Sequence, residues 1–388
     1  MKPKRIIYLD YAAATPIDSR VLKTMLPYFR EKFGNSLSPH TLGRNANQKL
    51  EECRQKIANL IKAKPNEIIF TSSATESNNL ALKGIIAANK NKGSHIIISR
   101  IEHHSILEPT KWLEKNGIKV SYLSVDRFGL INFNELKNLI TKETILVSVI
   151  HVSNEIGVIQ NLKKIGEFCR EKKIFFHTDA AQSLARIPID VNKMKIDLLT
   201  GSSYKIYGPP GVGCLYLREK IEIEPFFHGG NHEFGFRAGT PNLAGIIGFT
   251  CACQIYQKER EKEAQRIKKL RDKLIKGVLI TIPGTRLNGH PTKRLVHNVN
   301  FSFQGIEGEA IITQLDLLGV ATSTGSACVS PSLTPSHILL ALGLKPEVAQ
   351  GSLRITLGRW TKESEIDYFL KILPKAIKKL RKISPFKI

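Results

Sequence analysis

Cysteine is scarce in this chain: six in 388 residues, at irregular intervals. So sparse a set excludes a disulfide scaffold and reads as reduced thiols. Long hydrophobic runs are also missing. Stretches such as Leu243 to Cys253 fall well short of the ~18 residues of a membrane helix. The opening Met1-Lys2-Pro3-Lys4-Arg5 is followed by only four apolar residues before Asp10, too few for a signal peptide. The expectation is a soluble cytoplasmic protein.

Acidic residues are in deficit: 34 Asp and Glu stand against 58 Lys and Arg, a formal charge of +24. Such a balance raises nucleic-acid binding as a possibility. The basic residues, however, cluster at Lys258 to Lys276 and Lys375 to Lys387, and the first cluster mixes both signs at helical spacing, as a solvated helix does. No zinc-finger spacing and no aromatic-basic stacking platform accompanies them. Direct nucleic-acid binding is therefore not expected. What is present is core: 42% of residues are hydrophobic, with 7% aromatic. That excludes a disordered chain, and the length suggests two or three domains at ~150 residues each.

Apolar runs alternate with amphipathic segments. Strands are expected at Ile68–Phe70, His95–Ser99, Lys119–Leu123, Thr144–His151, Ile174–His177, Ile196–Thr200 and Val212–Leu217. Helices are expected between them at Leu80–Asn89, Ile106–Asn116, Phe133–Ile140 and Leu162–Lys172. This alternation predicts an α/β fold, a large domain with a mostly parallel sheet between helices. Near residue 255 the rhythm changes. A long charged helix from about Gln254 to Lys276 precedes strands near Val296–Phe303, a helix near Gly308–Leu318 and a closing helix Lys362–Lys382. These read as a smaller α+β domain, joined by the lone strand Ile6–Asp10. The expected boundaries are 15–255 for the large domain and 1–14 with 256–388 for the small one.

Such sheets keep their ligands at the carboxyl ends of their strands. Thr71-Ser-Ser-Ala-Thr-Glu-Ser77 follows a strand and opens a helix, either as a phosphate cradle or as an ordinary hydroxyl cap. Asp179, in Asp179-Ala-Ala-Gln182, stands just past a strand end, as a site carboxylate or a helix cap. Lys205 lies in Ser202-Ser-Tyr-Lys-Ile-Tyr-Gly-Pro-Pro-Gly-Val-Gly213, where an amine can form a Schiff base with an aldehyde cofactor or simply face solvent. Cys328 sits in the small-residue loop Thr322-Ser-Thr-Gly-Ser-Ala-Cys-Val-Ser330, which suits a reachable thiol. Cys53, Cys169, Cys251 and Cys253 fall in helical patterns and Cys214 in a strand. His103-His104 follows a strand, able to stack on a ring or carry protons, or to be a plain polar pair. No metal set is evident.

The order of these motifs, together with Asn154-Glu-Ile-Gly157, Arg237-Ala-Gly-Thr240 and Leu353-Arg354, resembles the cysteine desulfurases of the NifS/IscS type. These are class V aminotransferase-like, fold-type I enzymes that use pyridoxal phosphate. The resemblance runs from Tyr8-Leu-Asp-Tyr-Ala-Ala-Ala-Thr-Pro16 to Leu353-Arg-Ile-Thr-Leu-Gly-Arg359. It implies that Lys205 holds the cofactor and Asp179 pairs with its ring nitrogen. Ala74, Thr75, Ser202 and Tyr204 would surround the phosphate. Asn154 and Gln182 would bond the phenolic oxygen, and His103 would stack on the ring and handle protons. Arg354, with Asn35 beside it, would fork onto the carboxylate of L-cysteine. Cys328 would take the sulfur as a persulfide, leaving alanine. Thr240 would reach the partner subunit's phosphate, which implies a homodimer. The sulfur would pass to an acceptor protein of iron-sulfur assembly or tRNA thiolation. Three motifs depart from the family pattern: Ser73 where a glycine is usual, Ser203-Tyr204 where glycine and histidine are usual, and Gly229-Gly-Asn-His-Glu-Phe-Gly235. The alternatives are a selenocysteine lyase or another enzyme of the same fold, and a catalytically weak binding protein that keeps the fold.

Overall fold

The computed structural model describes residues 6–325 and 334–385. In chain order its strands are β1 (Ile7–Tyr8), β2 (Ile68–Thr71), β3 (His95–Ser99), β4 (Lys119–Leu123), β5 (Thr144–Ser148), β6 (Phe175–Asp179), β7 (Leu198–Ser202), β8 (Gly213–Leu217), β9 (Thr285–Leu287), β10 (Asn298–Phe303), β11 (Val320–Ala321) and β12 (Ser352–Thr356).

Ile96, Ile97 and Ile98 of β3, Leu146 and Val147 of β5, and Leu198 and Leu199 of β7 are all buried, so both faces of each strand are covered. Continuous apolar runs of this kind belong to sheets sandwiched between helices. The strands form one seven-stranded sheet in the order β2-β8-β7-β6-β5-β3-β4. Only β8 runs antiparallel to its neighbours, β2 and β7; the other pairs are parallel. The large α/β domain is as the sequence pattern predicts.

The smaller α+β part is built on the antiparallel sheet β12-β10-β9 and the parallel pair β1-β11. In β10, Val299, Phe301 and Phe303 point into an apolar cluster with Leu353 and Ile355 of β12. The alternate residues, Asn298, Asn300, Ser302, Ser352, Arg354 and Thr356, form a buried polar face. Period-2 alternation produces these two chemically different faces.

The two largest departures from expectation are long helices. The helix expected from Gln254 begins at Leu243 and runs to Thr281. Its apolar first part, with Ile246, Ile247 and Phe249, packs in the core of the large sheet. Its later residues Ile267, Leu270, Leu274 and Val278 pack under the small sheet. One rod therefore spans both cores, and the change in composition near residue 255 marks a change of environment rather than a helix start. A second helix, Thr41–Ile61, was not foreseen. Its buried Gly43, Ala46, Leu50, Cys53, Ile57 and Ile61 follow helical spacing, but polar residues such as Asn45, Asn47 and Gln48 dilute the signal. None of the helices among the described residues is long and apolar enough to cross a membrane.

Candidate active site

The segment Asp10–Thr15 and the turn after β7 meet at Lys205, with Asp179 at the carboxyl end of β6 in the same neighbourhood. The Lys205 Nζ donates to the carbonyl oxygens of Ala12 at 3.0 Å and Ala13 at 2.5 Å, and stands 4.2 Å from the centre of the Tyr204 ring. The Gln182 Nε2 donates to the same Ala12 oxygen at 3.0 Å. The Thr15 hydroxyl and backbone N–H both donate to the Tyr204 carbonyl. The segment that begins with Asp10 thus forms one wall of the site, a wall the sequence motif contained without a role assigned to it.

Asp179 closes β6 and is 4% exposed. Its Oδ1 accepts from the Ala181 N–H at 2.8 Å, and its Oδ2 from the Asn78 Nδ2 at 2.8 Å. The expected cap-like bond is therefore present alongside a second, long-range partner. His103 caps the helix His104–Lys115, its Nδ1 accepting from the Ser105 N–H at 3.1 Å. Burial is the main cause that lowers the His103 pKa; the Asp179 charge raises it and the Lys205 charge lowers it further. His103, Asp179 and Lys205 therefore share one electrostatic neighbourhood.

The hydroxyl loop serves the helix Ala74–Ala88. The Ser73 Oγ caps it by accepting from the Glu76 N–H at 3.1 Å. The first turn of a helix carries unpaired N–H groups, and here it holds Ala74 and Thr75. Gly213 explains how β8 lies so close to it: a Cβ there would stand 3.0 Å from the Ala74 nitrogen and 2.7 Å from the Ser73 carbonyl carbon. Thr240 lines a small cavity of about 100 Å³ with Thr71, Ser72, Gly211 and Arg237, and Arg237 Nε bonds the Glu76 carboxylate at 2.9 Å.

Arg354 is brought in from the small sheet and is 3% exposed. Its Nη2 pairs with the Asp10 carboxylate at 2.9 Å, and its Nη1 donates to the Asn154 carbonyl at 3.3 Å. Asn35 is not gathered in with them in the same way. It lies in an exposed turn, where its Oδ1 accepts from the Leu37 N–H at 3.0 Å. Cys328 lies outside the described residues.

Sequence reasoning missed two buried carboxyls beside the site. Glu102 accepts from the Ser99 hydroxyl and the Ile150 N–H, both at 2.6 Å, and burial pushes its pKa up to about 8. Glu155 accepts from Ser336 Oγ at 2.5 Å, and burial raises its pKa too. Glu155 stood inside the quoted Asn154–Gly157 motif; Glu102 had only its place beside His103 as a signal. The described cysteines contrast with an exposed thiol: burial pushes Cys169 and Cys214 up to about 12 and raises Cys53 and Cys253. Buried thiols of that kind are poor nucleophiles.

The groups around Lys205 include buried polar atoms suited to a phosphate-bearing aldehyde cofactor. Ser202 Oγ, Ser203 Oγ and Asn154 Oδ1 are buried with no protein partner among the described residues, although buried polar atoms are nearly always paired. An amine, a buried carboxylate and a helix N-terminus accompany them. The residues fit the group.

The family profile for class-V aminotransferases matches residues 7–369. The cysteine desulfurase IscS of Dictyoglomus turgidum is 48% identical over 384 residues, covering 99% of this chain and 98% of the relative. A solved structure described as a NifS-like protein superposes with a TM-score of 0.91 at 36% identity, over 97% of this chain and 100% of that one. Another, described as SspA in complex with cysteine, gives 0.81 at 34% identity, over 92% and 100%. Fold, site and likeness agree: this chain belongs to the class-V aminotransferase family, among its NifS/IscS-type cysteine desulfurases.

Proposed function

We propose that this protein is a pyridoxal-phosphate-dependent cysteine desulfurase that converts L-cysteine to L-alanine and takes the sulfur onto Cys328. The observation that carries the reading is the meeting of Lys205, Asp179 and His103 in one neighbourhood, with Arg354 brought in from the small sheet. The cysteine complex described for a similar structure supports the choice of substrate.

When bound, pyridoxal phosphate supplies an aldehyde that condenses with amines and a ring that accepts electron density. Lys205 is the amine that holds it, and the two carbonyls that now receive its Nζ keep that amine aimed into the site. Asp179, fixed by two N–H donors, would present its carboxylate to the ring nitrogen of the cofactor. Ser202, Tyr204, Ala74 and Thr75 would hold the phosphate, and Asn154 and Gln182 the phenolic oxygen. Arg354 receives the substrate carboxylate, with Asp10 holding the guanidinium. His103 moves protons at its ring. The Cys328 thiolate attacks the substrate sulfur; the carbon–sulfur bond breaks, its electron pair stays with the carbon skeleton, and a proton there completes alanine. The balance is cysteine plus enzyme thiol giving alanine plus enzyme persulfide, with no external oxidant.

In this reading the enzyme is a homodimer in which Thr240 serves the partner's phosphate. A groove of about 820 Å³ lies beside the hydroxyl loop, lined by Trp112, Phe226 and Phe227 together with Thr75, Glu76 and Lys83. The persulfide passes to an acceptor protein of iron-sulfur assembly or tRNA thiolation.

The test is borohydride reduction of the cofactor-loaded protein followed by peptide mass spectrometry. The cofactor's mass on the peptide holding Lys205 is expected. Its appearance on another lysine would reject the site.

A further inference from the structure

Asn78 lies in the helix Ala74–Ala88, fully buried, where no solvent explains a polar side chain. Its Nδ2 donates in two directions, to the Asp179 Oδ2 at 2.8 Å and to the Ser105 Oγ at 2.7 Å. A carboxylate only accepts, so the amide nitrogen and not the oxygen must face Asp179. The Ser105 Oγ in turn lies 2.8 Å from the His103 Nδ1. The chain Asp179–Asn78–Ser105–His103 therefore joins three separate elements: the end of β6, one helix and the cap of the next.

We propose that Asn78 and Ser105 are positioning residues that hold His103 as the tautomer with its proton on Nε2 and fix its ring relative to Asp179. The inference rests on the reading of His103 and Asp179 given above and adds two residues and one atom to it.

The direction of each bond follows from its donors. The Ser105 backbone N–H points at the His103 Nδ1 at 3.1 Å and has no alternative form. That nitrogen must therefore offer a lone pair, and the neutral ring carries its proton on Nε2. The Ser105 hydroxyl receives a hydrogen from Asn78, and its own hydrogen goes to the same Nδ1. Two donors converge on Nδ1, and a proton placed there would oppose both. In the neutral ring Nε2 is then a hydrogen-bond donor, and a second proton can add only at Nδ1, where it opposes both donors and breaks the helix cap. The charges around the ring come from several elements: Asp179 favours the charged form, while Lys205, His104 and His337 oppose it.

The experiment is nitrogen-15 NMR of histidine-labelled protein without cofactor, with the His103 signals assigned from His103→Gln. The wild type is expected to show neutral His103 protonated on Nε2. Ser105→Ala removes one donor from Nδ1, and Asn78→Ala frees the Ser105 oxygen to accept. Both are expected to raise the pH at which His103 gains its second proton by about half to one unit, the size of one ordinary hydrogen bond. Ser105→Thr keeps the hydroxyl and is expected to restore the wild-type titration. In the loaded enzyme the two Ala variants should lower kcat with cysteine more than they raise KM, with the acid limb of the pH profile displaced alike. A wild-type ring protonated on Nδ1 would overturn the proposal, as would superposed titrations for wild type and Ser105→Ala. If Asn78→Ala does not fold, the Ser105 pair decides alone. Absence of desulfurase activity in the wild type would reject the functional reading while leaving the tautomer result standing.

Discussion

The seven-stranded sheet and the sheet β12-β10-β9 both bury the two faces of their central strands, but with different chemistry. In the seven-stranded sheet the central strands are mostly apolar on each side, with a few paired polar residues such as His177 and Thr200 inside them and the site residues Asp179 and Ser202 at strand ends. In β10 and β12 every second residue is polar and buried. Their apolar face makes a core of its own, while their polar face holds the wall of the candidate site. Thr356 Oγ1 accepts from the Ala12 N–H at 2.9 Å, Asn298 and Asn300 donate to the carbonyls of Asn154 and Glu155 at 3.3 Å, and Arg354 pairs with Asp10. The difference teaches a division of labour. The large sheet fixes groups by where its strands stop. The small sheet fixes them by lateral hydrogen bonding, and so acts on Lys205 through Ala12 and Ala13.

The comparison is broken most severely at Lys205. Lys205→Ala removes the amine that both sheets position, so desulfurase activity and the bound cofactor's absorbance should vanish together, which a spectrum and an alanine assay will show. Next comes the apolar face of the small sheet. Phe301→Ala deletes a fully buried ring and should cost about 3–5 kcal/mol in denaturant unfolding, with KM for cysteine near the wild-type value in the protein that remains folded. A large rise in KM there would mean that the two faces are not separable.

The polar face should behave in the opposite way. Arg354→Gln loses hydrogen bonds to a charged group, each of about 1.5–3 kcal/mol. It should raise KM for cysteine by about 10–100-fold, with Asp10→Asn giving a smaller rise in the same direction.

A further test is a pH slope at the carboxyl end of β3. Glu102 has its pKa raised from 4.5 to about 8 by burial. Its contribution to stability is therefore fully present below about pH 4.5 and is lost as pH rises through about 8. Glu102→Gln cannot ionise, so thermal melts of the variant should decline less than the wild type between those values. Parallel curves would show that Glu102 titrates normally.

The seven strands of the large sheet were legible because Ile, Val and Leu runs bounded by polar turns leave few other solutions. Lys205, Asp179 and His103 were legible because each lies at or just past the carboxyl end of a strand, where such folds place chemistry. Asp10 was not, because its partner Arg354 lies 344 residues away and nothing local marks the pair. Asn78 and Ser105 were hidden for another reason: a polar residue within a helix reads as a solvated face, and only the packing of Asn78 against β6 and the next helix shows it to be buried. The helix Thr41–Ile61 was obscured by composition, since its buried stripe includes Gly43 and Ala46 beside Arg44 and Asn45.

The most direct test of the central claim is one sulfur balance on the purified, cofactor-loaded protein. A single addition of L-cysteine without an acceptor thiol, followed by alkylation, peptide mass spectrometry and alanine quantification, should place one extra sulfur on Cys328 for each alanine formed. Alanine released at the same rate from Cys328→Ser, with the sulfur appearing directly in solution, would contradict the account and leave a lyase in its place.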